Sequence, residues 1–217
     1  MPKFLRGKGT GWLNAEYAIL PTATHERIMR ESISGHRDGR TVEISRVIGR
    51  ALRSCVDLQH IGESTIIIDC DVLCADGGTR VASINAAALA LMQAQEHWLS
   101  IGRIKQPFLV QKPAAIAIGI TSQQTILVDP DYKEDVAIIA DFNIIATQQG
   151  IIEVQGGAEK RPITWDLFNT LCATARIALE PFFKEHATET PVQVVPSHNE
   201  KAPLFALKNR LANAQKG

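Results

Sequence analysis

Two stretches of the chain hold residues that could do chemistry together. One is Asp76-Gly77-Gly78-Thr79-Arg80, which follows a β-branched run and opens a long apolar segment. Paired glycines let a backbone turn tightly and approach a ligand closely, and the unpaired N–H groups of a helix's first turn point outward with the positive end of its dipole. Thr79 adds a hydroxyl, and Arg80 a planar cationic fork suited to phosphate oxygens. The junction is either a small-anion site or an ordinary turn. The other stretch is the carboxylate run Asp129, Asp131, Glu134, Asp135 and Asp141. Asp135 and Asp141 flank an apolar segment, and were that segment one straight strand they would stand roughly 20 Å apart, too far to share an ion. If the chain turns between them they suit Mg²⁺, which takes a couple of acidic ligands along with water and phosphate oxygens. Otherwise they are exposed strand-end acids.

Arginines form the third feature. Arg46, Arg50 and Arg53 fall on one stripe of an expected helix, and Arg27 and Arg30 share a face of an expected helix before it. Such a stripe is either a solvated, ion-paired face or a nucleic-acid groove. Arg40, in Gly39-Arg40-Thr41, sits just ahead of the helix at a loop end, from which it can reach into a site. The chain carries 23 basic and 23 acidic residues, but unevenly. Residues 1–60 hold ten Lys/Arg against six Asp/Glu, residues 61–160 six against twelve, and residues 161–217 seven against five. A basic front could grip nucleic-acid phosphates while an acidic middle supplies carboxylates for a metal or for proton transfer.

Several elements must position these residues. Thr24 can cap a helix through about Ile33, and Gly35–Gly39 reads as a loop. Ile44, Val47, Ile48, Ala51, Leu52 and Cys55 recur at helical spacing, so residues 42–58 are amphipathic. Residues 64–73 fit a buried strand, and residues 79–99, apolar nearly all round, a buried helix. Residues 113–120 and 124–128 read as one pair of strands, and residues 142–147 and 151–155 as another, joined by a Gln-Gln-Gly turn. A last core helix spans residues 164–180, where Pro181 should stop it. This order predicts an α+β fold with helices packed on a mostly antiparallel or mixed sheet.

At 217 residues, 45% of them apolar, the chain is long enough for a substantial core. No apolar stretch approaches the ~20 residues of a membrane-spanning helix, and the first residues lack a secretory h-region, so a cytoplasmic protein is expected. Cys55, Cys70, Cys74 and Cys172 form no C-x-x-C pair and are expected as buried thiols.

The motifs resemble the ribonuclease PH family. Gly11-Trp12 through Ala15-Glu16-Tyr17, Leu20-Pro21 and Ala23-Thr24 is similar to its opening signature, as is Gly39-Arg40-Thr41-Val42-Glu43-Ile44 through Arg46, Ile48-Gly49-Arg50, Leu52-Arg53 and Val56-Asp57-Leu58. Asp69-Cys70-Asp71-Val72 with Ala75-Asp76-Gly77-Gly78-Thr79-Arg80 and Ala82-Ser83-Ile84 resembles its central motif. Glu134-Asp135, Asp141, Asn143, Glu153-Val154-Gln155-Gly156 and Ala158-Glu159 complete a match that runs in the family's order over residues 2–180.

The resemblance implies a phosphorolytic 3′-to-5′ exoribonuclease that trims tRNA precursors, with inorganic phosphate attacking the last phosphodiester and a nucleoside diphosphate leaving. It assigns phosphate binding to Arg40, Gly78, Thr79 and Arg80, catalysis and Mg²⁺ binding to Asp135 and Asp141, and tRNA binding to Arg27 and Arg30. It implies a ring of six subunits. Thr22 stands where the family has a third tRNA-gripping arginine, and Asn85 and Gly157 are smaller departures. Relative to the family, several strands ahead of Pro2-Lys3-Phe4 are missing, so residues 1–186 are expected as one domain short of those strands. Residues 187–217 are expected as an extension in which Leu204, Leu207 and Leu211 mark a short amphipathic helix. A truncated or non-catalytic RNA-binding ring subunit of the same fold is the alternative the resemblance leaves.

Overall fold

A computed structural model describes residues 2–185. The expected tail helix lies outside them. In chain order the elements are β1 (Trp12–Ile19), α1 (Glu31–Ser34), α2 (Gly39–Arg53), α3 (Leu58–Ile61), β2 (Thr65–Val72), α4 (Thr79–Ser100), β3 (Ala114–Ile120), β4 (Ile126–Val128), α5 (Tyr132–Ala137), β5 (Ala140–Thr147), β6 (Gly150–Ala158) and α6 (Trp165–Glu185), after a 3-10 turn at Lys3–Leu5.

The strands form two sheets. β1 and β2 pair in parallel, with Trp12 opposite Thr65 and Ile19 opposite Val72, and α2 provides the crossover between them. The other sheet is antiparallel, in the order β4-β3-β5-β6. Its central strand β3 is buried along its whole length, as its unbroken apolar run requires. Ala115 and Ala117 face a core shared with α2, α4 and the parallel pair, while Ile116, Ile118 and Ile120 face Leu171, Ala175 and Leu179 of α6. Alanine on one face lets α4 pack closely, and isoleucine on the other fills the wider gap to α6. Asn85 of α4 stitches the layers together, accepting from the Ala115 N–H at 2.8 Å and donating to its carbonyl at 2.9 Å. The departure from the family pattern at this position thus acts as a structural clamp.

Local expectations give way at five places. The helix expected from Thr24 does not form, because the Thr24 hydroxyl bonds the Glu26 carbonyl at 2.5 Å and the Ile28 N–H bonds the Pro21 carbonyl, so loop bonds replace the helical ladder. Only residues 31–34 are helical, and Arg27 and Arg30 lie on irregular, exposed chain instead of on one helix face. Arg40 sits inside the first turn of α2, since Asp38 already accepts the Val42 N–H. β2 is buried on one face only, Ile67 being 61% exposed on the other, and α4 likewise buries a single stripe. Pro181 lies inside α6. A proline there costs about 3 kcal/mol in lost bonding and sterics, offset by Phe182 and Phe183, which pack on the core beside Phe142 and Leu179.

All four cysteines are free, but against the expectation of burial only Cys55 is buried, Cys70 and Cys172 being half-buried and Cys74 exposed. It lies in the bend that follows β2, beyond the last core-facing position of the strand. Burial and the flanking Asp69 and Asp71 push the Cys70 thiol up to about 11.

Gly156 shows how tightly β6 is held against β5. A β-carbon there would stand 2.0 Å from the Asp141 carbonyl oxygen, at a φ of +139°. Gly156→Ala is expected to cost about 3 kcal/mol or more of stability, through strain and clash together, and urea denaturation beside the wild type measures it.

Candidate active site

The strand β2 runs out into the Asp76-Gly77-Gly78 turn, and α4 begins at Thr79 with Gly78 as its cap. Both glycines hold left-handed backbone, with φ of 81° and 57°. Space forbids a side chain at Gly77 and crowds one at Gly78. A β-carbon on Gly77 would meet the Pro130 carbonyl oxygen at 2.6 Å, and one on Gly78 would meet an Asp129 carboxylate oxygen at 3.1 Å. The turn therefore lies directly on the segment 129–131, and the Tyr132 N–H reaches the Asp76 carboxylate at 3.4 Å.

That segment launches α5 through a capping box in which Asp131 accepts from the Glu134 N–H at 2.9 Å and Glu134 accepts from the Asp131 N–H at 3.1 Å. Two of the five acids are spent there. Asp135 stands in the first turn of α5, and the chain leaves the helix at Ile138 to enter β5, where Asp141 lies opposite Gly119 and Gly157. The turn that the two carboxylates need is this helix. They act on one another: the carboxyl of Asp141 is raised above the usual carboxylate range, first by burial and then by the charge of Asp135, with Glu159 adding to the rise and Arg80 and Arg40 opposing it.

Arg40, Arg80, Asp135 and Asp141 are thus brought into one electrostatic neighbourhood. Arg80 pairs with Glu43, one turn along α2 from Arg40, at 2.7 Å, and its buried Nε has no hydrogen-bond partner among the described residues. A buried guanidinium donor left unmade is costly, and an anion beside the Gly78–Thr79 turn would satisfy it. Thr79 accepts a hydrogen bond from the Tyr17 hydroxyl at 2.9 Å. Two guanidinium groups here stand against four carboxylates, those of Glu43, Asp135, Asp141 and Glu159. A phosphate entering this set needs a further cation. Among the described residues no three His, Cys, Asp or Glu side chains gather into a ready-made metal cluster. The Asp135–Asp141 pair fits the smaller demand of Mg²⁺, which one or two carboxylates plus substrate oxygens can hold.

The other arginines divide. Arg50 makes a two-pronged pair with Glu153, at 2.8 and 2.5 Å, and Arg53 donates to the Leu13 carbonyl at 3.0 Å while lying over the Trp12 ring. The stripe is mostly an ion-paired and packed face, with Arg46 left to line a groove of about 400 Å³ beside Gln155. Arg27 and Arg30 are not among the charges acting on Asp141. Their segment is anchored near the turn by His25, whose ring lies 5.8 Å from that of Tyr132 and whose Nε2 is 3.9 Å from the Asp76 carboxylate. Tyr17, Glu43 and Glu159 belong to the site although nothing in their sequence spacing marks them. Each sits inside a recognisable motif, and only the fold assigns it a neighbour.

The fold is RNase PH-like. Residues 2–96 match the model of the 3′ exoribonuclease family, domain 1. That span holds Arg40 and Gly78–Arg80, whereas Asp135 and Asp141 lie beyond it. Among solved structures, the chain is similar to an Archaeoglobus fulgidus exosome with RNA bound to the active site, at 20% identity and a TM-score of 0.67 over 83% of this chain and 74% of that one. It is also similar to rice Rrp46, at 14% identity and a TM-score of 0.62 over 85% and 74%. An archaeal exosome core chain matches at 20% identity and a TM-score of 0.62 over 82% and 70%. At these identities the likeness is one of fold. No described helix is long and apolar enough to cross a membrane.

The raised carboxyl of Asp141 has a measurable sign. Its folded-state pKa lies above its unfolded one, so its contribution to stability is full below the ordinary carboxylate value of about 3.9 and is lost as pH rises through the raised value. Asp141→Asn, neutral and of the same shape, is expected to melt higher than wild type near neutral pH, the two converging below about pH 4. Thermal melts of both proteins across that range check it.

Proposed function

We propose that this chain is a phosphorolytic 3′-to-5′ exoribonuclease that trims tRNA precursors, with inorganic phosphate from the cytoplasm as co-substrate. One observation carries the reading: Arg40, Arg80 and Asp135 all act on the buried carboxyl of Asp141, and Arg80 stands in the first turn of α4 directly after Gly78 and Thr79. Phosphorolysis must bring an anion up to an already anionic diester, so a site for it needs both cationic cradling and a means of handling the departing oxygen.

Arg40, Arg80, the Thr79 hydroxyl and the first N–H groups of α4 hold the attacking phosphate. One of its oxygens forms a bond to the terminal phosphorus, the bond to the 3′ oxygen of the preceding nucleotide breaks, and the last nucleotide leaves as a diphosphate. The 3′ oxygen takes a proton. Asp141, with a carboxyl raised by burial and by Asp135, is suited to hold and deliver one. Asp135 and Asp141 would hold a Mg²⁺ ion, which when bound supplies positive charge against the scissile phosphate and the departing oxygen. Arg27 and Arg30, exposed and outside the site, grip the RNA backbone at a distance. The exosome chain of this fold that is described with RNA at its active site supports an RNA substrate, and the likeness to exosome cores supports a ring of six subunits.

Incubating the protein with a tRNA bearing extra 3′ nucleotides, with and without phosphate, tests the reading. Nucleoside diphosphates are expected only with phosphate and Mg²⁺ present, and Asp141→Ala is expected to lower kcat by roughly 10²–10⁴. Folded protein that binds RNA and releases no diphosphate would overturn it in favour of a non-catalytic ring subunit.

Replacing both Arg27 and Arg30 by alanine is expected to weaken RNA binding evenly across sequences. The slope of log affinity against log salt should become shallower by about 2, with the KM for phosphate unchanged. Titrations at several salt concentrations read the slope.

A further inference from the structure

Tyr17 lies on the inward face of β1 with Leu13 and Ala15 and is almost fully buried. Its one polar atom does not end in the core. The hydroxyl donates at 2.9 Å to Oγ1 of Thr79, the first residue of α4, and it lies within the fields of both Arg40 and Arg80. Burial raises its pKa, and the phenol therefore keeps its proton and remains a donor at neutral pH.

A threonine hydroxyl has one proton to give and two lone pairs that accept. With Tyr17 donating into one lone pair, the proton of Thr79 is left to be donated elsewhere. No side chain caps the first turn of α4, so its N–H groups and this hydroxyl are donors at the Gly78–Thr79 turn, beside the Asp129 carboxylate, and the buried Arg80 Nε one residue on has no partner among the described residues. An oxyanion such as phosphate, whose oxygens accept hydrogen bonds, is a ligand such a set fits.

We propose that Tyr17 is a positioning residue for inorganic phosphate, fixing the Thr79 hydroxyl as a donor through its own hydrogen bond to it. The inference rests on the phosphorolytic reading above. It assigns to a core tyrosine of β1 a part in choosing the nucleophile.

Isothermal titration of inorganic phosphate into the full chain gives a readout independent of turnover. Tyr17→Phe is expected to bind phosphate about tenfold more weakly. Thr79→Val is also expected to weaken it, and the double variant to bind no more weakly than Thr79→Val alone, because Tyr17 acts through Thr79. In turnover, Tyr17→Phe is expected to raise the KM for phosphate while leaving the KM for RNA and the rate at saturating phosphate near wild type. A general packing role would not produce that split. Thr79→Ser, which keeps the hydroxyl, is expected to retain wild-type affinity, and this arm stands even if Tyr17→Phe folds poorly.

Equal affinity in wild type and Tyr17→Phe, full additivity in the double variant, or loss of affinity in Thr79→Ser would each overturn the inference. Phosphate-dependent diphosphate release would survive any of those results. A wild type that binds no phosphate would overturn both the inference and the phosphorolytic reading.

Discussion

The site depends on a place where two backbones touch with nothing between them. The Gly77–Gly78 turn lies on the Asp129–Asp131 segment so closely that the smallest side chain would part them. The turn belongs to the layer of the parallel pair and α4, and the segment belongs to the antiparallel sheet, tied down where the Asp129 N–H bonds the Ala117 carbonyl. At this point the two layers meet through main chain, and the arginines and carboxylates on either side of it fall within one another's fields. Gly156 does the same on the far flank, where the backbone of β6 rests against the Asp141 carbonyl.

Charge in the site is shared among more partners than any pair explains. Arg80 answers to Glu43 on α2 and to Asp141 on β5, and Arg40 reaches the same carboxylate from the start of α2. Each guanidinium is therefore held by a different layer from the acid it moderates. The arrangement couples the packing of α2 to the proton affinity of a strand residue.

Much of this was legible in the chain. The helical spacing from Ile44 to Leu52, the β-branched run of β2, the fully apolar β3 and the glycine-marked turn each declare an element through local periodicity, and the structure contains them. The glycine-arginine turn and the two carboxylates stand out by residue type alone. What was not legible is which partner, near or distant, a residue finds. Thr24 looks like a helix cap, yet its hydroxyl finds the Glu26 carbonyl first. Pro181 looks like a stop, yet the aromatic pair behind it finds a core to bury in. Tyr17 reads as a core residue, and Asp135 and Asp141 read as too far apart until α5 folds between them. Tyr17 finds its partner, Thr79, outside any window of neighbouring residues, whereas for Thr24 the partner is only two residues away and it is the choice of bond that the local pattern leaves open.

The order in which the site's parts occur along the chain bears on how it comes into being. Arg40, Glu43 and the Gly78-Thr79-Arg80 turn all lie within the first 80 residues, and the other three carboxylates, Asp135, Asp141 and Glu159, arrive only with residues 135 to 159. During synthesis the arginine-bearing half leaves the ribosome well before those three carboxylates exist. The contacts that join the halves are long in sequence and hence slow to form. The setting of the Asp141 carboxyl, with Arg40 and Arg80 against Asp135 and Glu159, is therefore complete only once the antiparallel sheet has closed against α4.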